Sequence, residues 1–209
     1  MIIKRFVVGP LENNCYIVAD DKTRECLVVD PGDEPDRILD FIKDKNFDVK
    51  YIVCTHGHFD HVAAVSDVRD QTRARIVIHT DDLEIYHKTR EQGATWGFEI
   101  ESQPEPDLFV SEGDQLSIGE LRFEILHTPG HSRGGICLYG EGILITGDTL
   151  FAGSVGRTDF YGGDIKRLKE SFGRLINLPQ EVKVLPGHGP ESTIGRERIE
   201  NFFSSEYEK

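Results

Sequence analysis

The chain has 209 residues, long enough for one sizeable core, and its 38% hydrophobic and 29% charged content excludes a disordered or fibrous polymer. Its 24 Lys and Arg against 37 Asp and Glu leave a formal charge of −13, and no basic block stands out, so nucleic acid is not expected as a partner. No run of about 18 apolar residues occurs, and the N-terminus from Met1 to Phe6 has no leader-like apolar stretch, so a cytoplasmic protein with no membrane partner is expected.

Residues 2–8 and 15–19 are rich in β-branched and aromatic residues and are separated by Gly9-Pro10 and Asn13-Asn14, which predicts a hairpin. A third strand over 25–29 ends at Asp30-Pro31-Gly32. Ile38, Leu39 and Ile42 recur at helical spacing and predict a helix over 34–45, with Pro35 in its first turn. A strand at 51–54 is followed by a helix over 62–71, a strand over 75–79 and a helix over 81–91. The Gly-, Pro- and acid-rich stretch 93–107 reads as a loop overhanging the site. Hairpins are predicted for 115–118 with 121–127 and for 135–139 with 142–147. A helix over 164–177 carries Leu168, Phe172, Leu175 and Ile176 on one face, and a strand at 182–185 and a helix at 193–203 complete the pattern. Cys15, Cys26, Cys54 and Cys137 fall singly in apolar runs and read as small buried hydrophobes.

The chemistry concentrates in Thr55-His56-Gly57-His58-Phe59-Asp60-His61, directly after the apolar run Tyr51-Ile52-Val53-Cys54. Imidazole nitrogen and carboxylate oxygen suit zinc, iron or manganese, and this spacing lets side chains leave one loop in two directions, one for each of two ions. Further ligand types follow later strands: His131 in Thr128-Pro129-Gly130-His131, Asp148 in Gly147-Asp148-Thr149, and His188 in Pro186-Gly187-His188-Gly189. Each lies in a Gly-containing turn where backbone approaches an ion closely. The two ends of the chain echo each other. Val28 to Gly32, a helix, a short strand and Thr55 to His58 match Ile145 to Asp148, a helix, a short strand and Pro186 to Gly189. A two-sheet sandwich of two similar halves with helices outside, forming a single domain over 1–209, brings them to one edge. His127, four residues before His131, reads as a satisfied structural histidine, and His79 and His87 as solvated or capping residues.

Asp30 in Val-Asp-Pro-Gly, the His-x-His-x-Asp-His run, His131, Asp148 and His188, in that order over about residues 13–190, resemble the metallo-β-lactamase superfamily. The resemblance implies an α/β fold, an αββα sandwich of two mixed β-sheets flanked by helices, with metals at one edge. By position it implies one ion on His56, His58 and His131, a second on Asp60, His61 and His188, Asp148 bridging, and Asp30 orienting a ligand imidazole from behind. Asp60 and Asp148 are the carboxylates assigned to catalysis. Two divalent ions are implied, zinc first, with iron and manganese also suited.

The segment from Gly147 to Phe160, with Gly156-Arg157-Thr158-Asp159-Phe160, is similar to glyoxalase II (hydroxyacylglutathione hydrolase), to its shorter relatives and to persulfide dioxygenases, and Asn13-Asn14-Cys15-Tyr16 supports that group. His58 stands where the flavodiiron branch carries glutamate. Typical glyoxalase II adds a C-terminal helical domain that holds glutathione. This chain stops soon after His188 and has Gly189-Pro190 where those enzymes resemble Glu-Tyr, so weaker glutathione recognition or another thioester is implied. The expected reaction is hydrolysis of a small thioester such as S-D-lactoylglutathione by a hydroxide bridging the ions. Arg157 is a candidate for pairing with a substrate carboxylate, or for a salt bridge with Asp159 or Asp164, and Phe160 and Tyr161 are candidates for the pocket wall. The alternatives are an iron-dependent persulfide dioxygenase acting on glutathione persulfide, and a metal-stabilised binding protein without turnover.

Overall fold

A computed structural model describes residues 1–204 of the chain. Its first sheet holds β1 (Ile2–Val8), β2 (Asn13–Ala19), β3 (Glu25–Val29), β4 (Asp48–Val53), β5 (Arg75–His79) and β6 (Leu108–Val110), in that spatial order. β1, β2 and β3 pair antiparallel, and β3 to β6 pair parallel. The second sheet runs β14 (Ser192–Thr193), β13 (Lys183–Pro186), β10 (Ile143–Gly147), β9 (Ile136–Gly140), β8 (Leu121–His127), β7 (Gln115–Ile118), and only its β10–β13 pair is parallel. A two-stranded hairpin, β11 (Leu150–Phe151) and β12 (Ser154–Val155), stands apart.

Parallel neighbours require a crossover, and both sheets make it with a helix of 11 residues: α1 (Pro35–Lys45) between β3 and β4, and α6 (Ile165–Leu175) between β10 and β13. Pro35 supplies a preset φ at the first turn of α1. The Asp164 carboxylate accepts the Lys166 and Arg167 N–H groups at the start of α6.

The sheets stack face to face. Tyr16, Val18, Leu27 and Val53 from one meet Phe123, Ile125, Leu138 and Ile145 from the other. The alternate residues point outward: Ile17, Val28 and Ile52 pack under α1 and α3 (Val65–Thr72), while Leu144 and Val184 pack under Leu168 and Phe172 of α6 and Ile194 of α7 (Ile194–Glu200). With both faces covered, the central strands carry unbroken apolar runs, Cys26 to Val29 in β3, Tyr51 to Val53 in β4 and Ile143 to Ile145 in β10. The fold is the expected αββα sandwich. All four cysteines are buried in these layers as free thiols, and burial pushes the Cys26 and Cys137 thiols up to about 12.

Several boundaries differ from the sequence expectation. The helix expected over 62–71 is two helices, α2 (Phe59–Val62) and α3, so Asp60 and His61 themselves lie in a helical turn. The helix expected over 81–91 is a 3-10 turn (Thr80–Asp82), α4 (Leu83–His87) and α5 (Thr89–Thr95), and α5 runs on into the stretch read as loop. Gly93 there is pressed against Ile100, which folds the following segment back over the helix. Strands β6, β11, β12 and β14 are two or three residues long, too short for any periodicity to show.

Where the ends of β5 and β8 meet, the His79 and His127 rings stack at 4.1 Å with 9° between their planes. His79 Nδ1 accepts the Asp81 N–H at 3.1 Å and so caps the 3-10 turn, while His127 Nε2 donates to the Arg133 carbonyl at 3.0 Å. Parallel rings a stack apart do not aim in-plane lone pairs at one ion, so with Asp81 nearby they still form a structural contact.

Phe123 is fully buried between the sheets, so Phe123→Ala should lower the unfolding free energy by about 3–5 kcal/mol in urea titrations. Burial, with the His127 ring second, holds His79 below the ordinary imidazole range. The unfolded chain therefore takes up this proton first, so stability from neutral His79 is present above about pH 6.5 and is lost as pH falls through its lowered pKa. His79→Gln should give a flatter acid limb than wild type in urea midpoints measured between about pH 7 and 5.

Candidate metal centre

Five turns converge on one edge of the sandwich, each following the C-terminal end of a strand. β3 leads to Asp30, β4 to His56, His58, Asp60 and His61, β8 to His131, β10 to Asp148, and β13 to His188. β3 and β4 run parallel, as do β10 and β13, and β8 shares their direction two antiparallel steps away. Direction in the sheets thus brings together all seven side chains expected as ligands.

They meet as two groups whose ligating atoms lie within 4.8 Å of one another, His56 with His58 and His131, and Asp60 with His61 and His188. Asp148 stands between them, with Oδ1 3.4 Å from His61 Nε2 and Oδ2 3.6 Å from His131 Nε2 and 3.8 Å from His188 Nε2. Gly187 permits this approach, because a Cβ there would lie 2.4 Å from Asp148 Oδ1 and 2.7 Å from His61 Cε1.

The outer nitrogens are already engaged. His61 Nδ1 donates to Asp30 Oδ2 at 2.9 Å, and His131 Nδ1 donates to the Arg157 carbonyl at 2.7 Å. The Thr55 hydroxyl donates to Asp30 Oδ2 at 2.7 Å and so accepts from His56 Nδ1 at 3.1 Å. His56 and His131 therefore keep an unprotonated Nε2 facing inward, and His61 turns its Nε2 toward Asp148 and Asp60. His56 Nε2 and Asp148 Oδ1 are buried and have no hydrogen-bond partner, which costs free energy unless a cation takes the lone pairs.

Electrostatics point the same way. Burial, with the neighbouring imidazoles second, lowers His56 well below its usual range and pushes His58 down to about 3, so both rings stay neutral. Burial would raise Asp148 and Asp60, yet the adjacent His61 holds both below the ordinary carboxylate range. Against their burial, the same carboxylates raise His61 well above the usual imidazole range and His188 above it, so a divalent cation would take neutral His56 and His58 directly and displace the protons that His61 and His188 share with Asp60 and Asp148.

The turn carrying His188 is fixed from the start of the chain. Asn14 Nδ2 and the Tyr16 hydroxyl both donate to the Pro186 carbonyl, at 2.8 and 2.9 Å, and the Asn14 N–H donates to Gly187 O at 2.7 Å. This gives the Asn-Asn-Cys-Tyr run a local task that its sequence alone did not disclose.

A cleft of about 590 Å³ opens over the centre. Arg157, Phe160 and Tyr161 line it as expected, and so do Lys88 and Trp96, which the sequence reading missed because no motif surrounds them. Arg157 forms the salt bridge with Asp159 through two bonds, of 2.9 and 2.6 Å, and lies over the Phe160 ring, whereas Asp164 is occupied as the cap of α6. Tyr161 donates to Glu84 at 2.8 Å.

Comparison with known proteins agrees with this geometry. The family model described as the metallo-beta-lactamase superfamily matches residues 8–188. The hydroxyacylglutathione hydrolase GloC of Haemophilus influenzae is 33% identical over 208 residues, covering 97% of this chain and 98% of that protein. Among solved structures, TTHA1623 in a di-iron-bound form is 38% identical with a TM-score of 0.89, covering 96% of this chain and 99% of that one. The B3 metallo-beta-lactamase BLEG-1 is 33% identical with a TM-score of 0.87, covering 98% and 100%. Ordered ligand turns, the double sheet and these matches together show that the chain belongs to the metallo-beta-lactamase superfamily.

Proposed function

We propose that the protein is a metal-dependent hydrolase of small anionic thioesters such as S-D-lactoylglutathione. The observation that carries the reading is the convergence of five imidazoles and two carboxylates, with His56 Nε2 and Asp148 Oδ1 buried and unpartnered, at the floor of a cleft lined by aromatic rings and cations. His56, His58 and His131 would hold one divalent ion, Asp60, His61 and His188 the other, and Asp148 both; zinc suits the donors first, and iron and manganese are accepted by the same set. Such a pair of ions supplies hydroxide near neutral pH and polarises the scissile carbonyl.

The chain's own residues do the rest. Asp30 keeps the His61 proton on Nδ1 and, through Thr55, the His56 proton on Nδ1. Phe160 packs edge-on at 5.7 Å from the His58 ring and gives the acyl group an apolar wall beside the centre. Tyr161 closes that wall, its hydroxyl turned to Glu84. Arg157 exchanges Asp159 for a substrate carboxylate, an exchange that costs little because exposed ion pairs are weak. A thiolate leaves readily, so no buried general acid is needed.

The three-imidazole group is complete without Asp60, His61 and His188, and this favours a second reading, an iron-dependent persulfide dioxygenase with one iron on His56, His58 and His131. Metal-loaded protein should hydrolyse S-D-lactoylglutathione, Asp148→Ala should lose the activity, and Arg157→Ala should raise KM about tenfold or more with kcat nearly kept. Absence of turnover in protein shown to hold its metals overturns the thioesterase reading. Oxygen uptake with glutathione persulfide in that same sample would establish the second.

A further inference from the structure

We propose that Asp82 is a positioning residue for the three-imidazole group, clamping the two backbone turns that carry His56, His58 and His131. The inference rests on the two-ion reading above. Asp82 ends the 3-10 turn after β5 and is completely buried. Its Oδ2 accepts the Gly57 N–H at 2.8 Å and its Oδ1 accepts the Gly134 N–H at 2.5 Å. Gly57 stands between His56 and His58, and Gly134 lies three residues after His131. One carboxylate therefore joins a turn after the first sheet to a turn after the second.

Close packing shows that both turns are built onto this segment. A Cβ at Gly57 would lie 2.6 Å from the Tyr86 nitrogen and 2.9 Å from the Asp82 carbonyl oxygen, and one at Gly134 would lie 2.5 Å from the Asp82 nitrogen. Gln92 completes the grip by donating to the Gly57 carbonyl at 3.3 Å and accepting the Phe59 N–H at 3.3 Å. The peptide groups on either side of His58 are thus held by residues 82–92 rather than by the metal turn itself.

The chemistry requires a carboxylate. Ionised, it is an acceptor at both oxygens, whereas an asparagine in the same shape would turn its NH2 toward one of the two N–H donors and leave that donor unsatisfied. The other group is held by different contacts, His61 by Asp30 and the His188 turn by Asn14 and Tyr16. Loss of Asp82 should therefore act unequally on the two ions.

The test is zinc titration of metal-stripped wild type, Asp82→Asn and Asp82→Ala against a chromophoric chelator, with circular dichroism to confirm folding. Wild type should take two ions. Each variant should keep one at near wild-type affinity and bind the other about ten- to hundredfold more weakly, with ring-nitrogen NMR shifts assigning the weakened ion to His56, His58 and His131. A folded Asp82→Asn that binds both ions normally, or both equally weakly, overturns the clamp. Amide exchange in metal-free wild type reads it with no substitution: the Gly57 and Gly134 amides should be protected, and rapid exchange at both overturns the proposal even if neither variant folds. Fewer than two ions on wild type is a separate result and overturns the two-ion reading itself.

Discussion

The carboxylate of Asp30 is the constraint on which the centre depends. It is buried at the end of β3, where a left-handed turn at φ 51° redirects the chain, and its N–H donates to Val53 O of the parallel neighbour β4. Its oxygens then accept the Thr55 N–H and hydroxyl and the His61 Nδ1 proton. A charge in this position would be costly alone; three donors and the imidazoles beyond them offset its desolvation. Through it the register of two core strands, with Val29 opposite Val53, becomes the orientation of two imidazoles. The site is thus as rigid as the sheet beneath it.

That dependence explains what could be read in the sequence. A ligand turn must follow an apolar strand, contain a glycine for close approach, and present a histidine or aspartate, and all of that is written locally at Val53 to His61 and at Leu185 to Gly189. The double sheet was legible for the same reason, since strand segments buried on both faces, such as Cys26 to Val29 and Ile143 to Ile145, form short apolar runs. The contacts that aim the ligands were less visible. Asp81-Asp82 looks like the acidic start of a helix, and nothing local says that the second carboxylate turns inward to two distant amides. Lys88 and Trp96 line the cleft from the two ends of the short helix α5, where a single longer helix was expected. The choice of Asp159 over Asp164 as the Arg157 partner is a matter of which residue caps α6.

Charge is unevenly used. The chain carries −13 overall, yet its cleft presents Lys88 and Arg157 beside the ligand groups. Each of these cations is paired, Lys88 with Glu84 and Arg157 with Asp159, so both are held in place at the cleft by a carboxylate neighbour. Glu84 also receives the Tyr161 hydroxyl, and Lys88 lies 5.2 Å from that ring, so one carboxylate sets both the charge and the aromatic wall at the entrance.

The contacts that complete the centre also span great lengths of chain. His58 meets His131 across 73 residues, His61 meets His188 across 127, and Asn14 reaches Pro186 across 172. Each such closure pays its loop entropy before any local reward, so contacts of this kind form late and slowly. Neither half of the chain owns a finished set of ligands. Ions that bind the assembled centre therefore draw the folding equilibrium toward the fully docked sandwich by mass action, and their uptake serves as a kinetic marker of its completion.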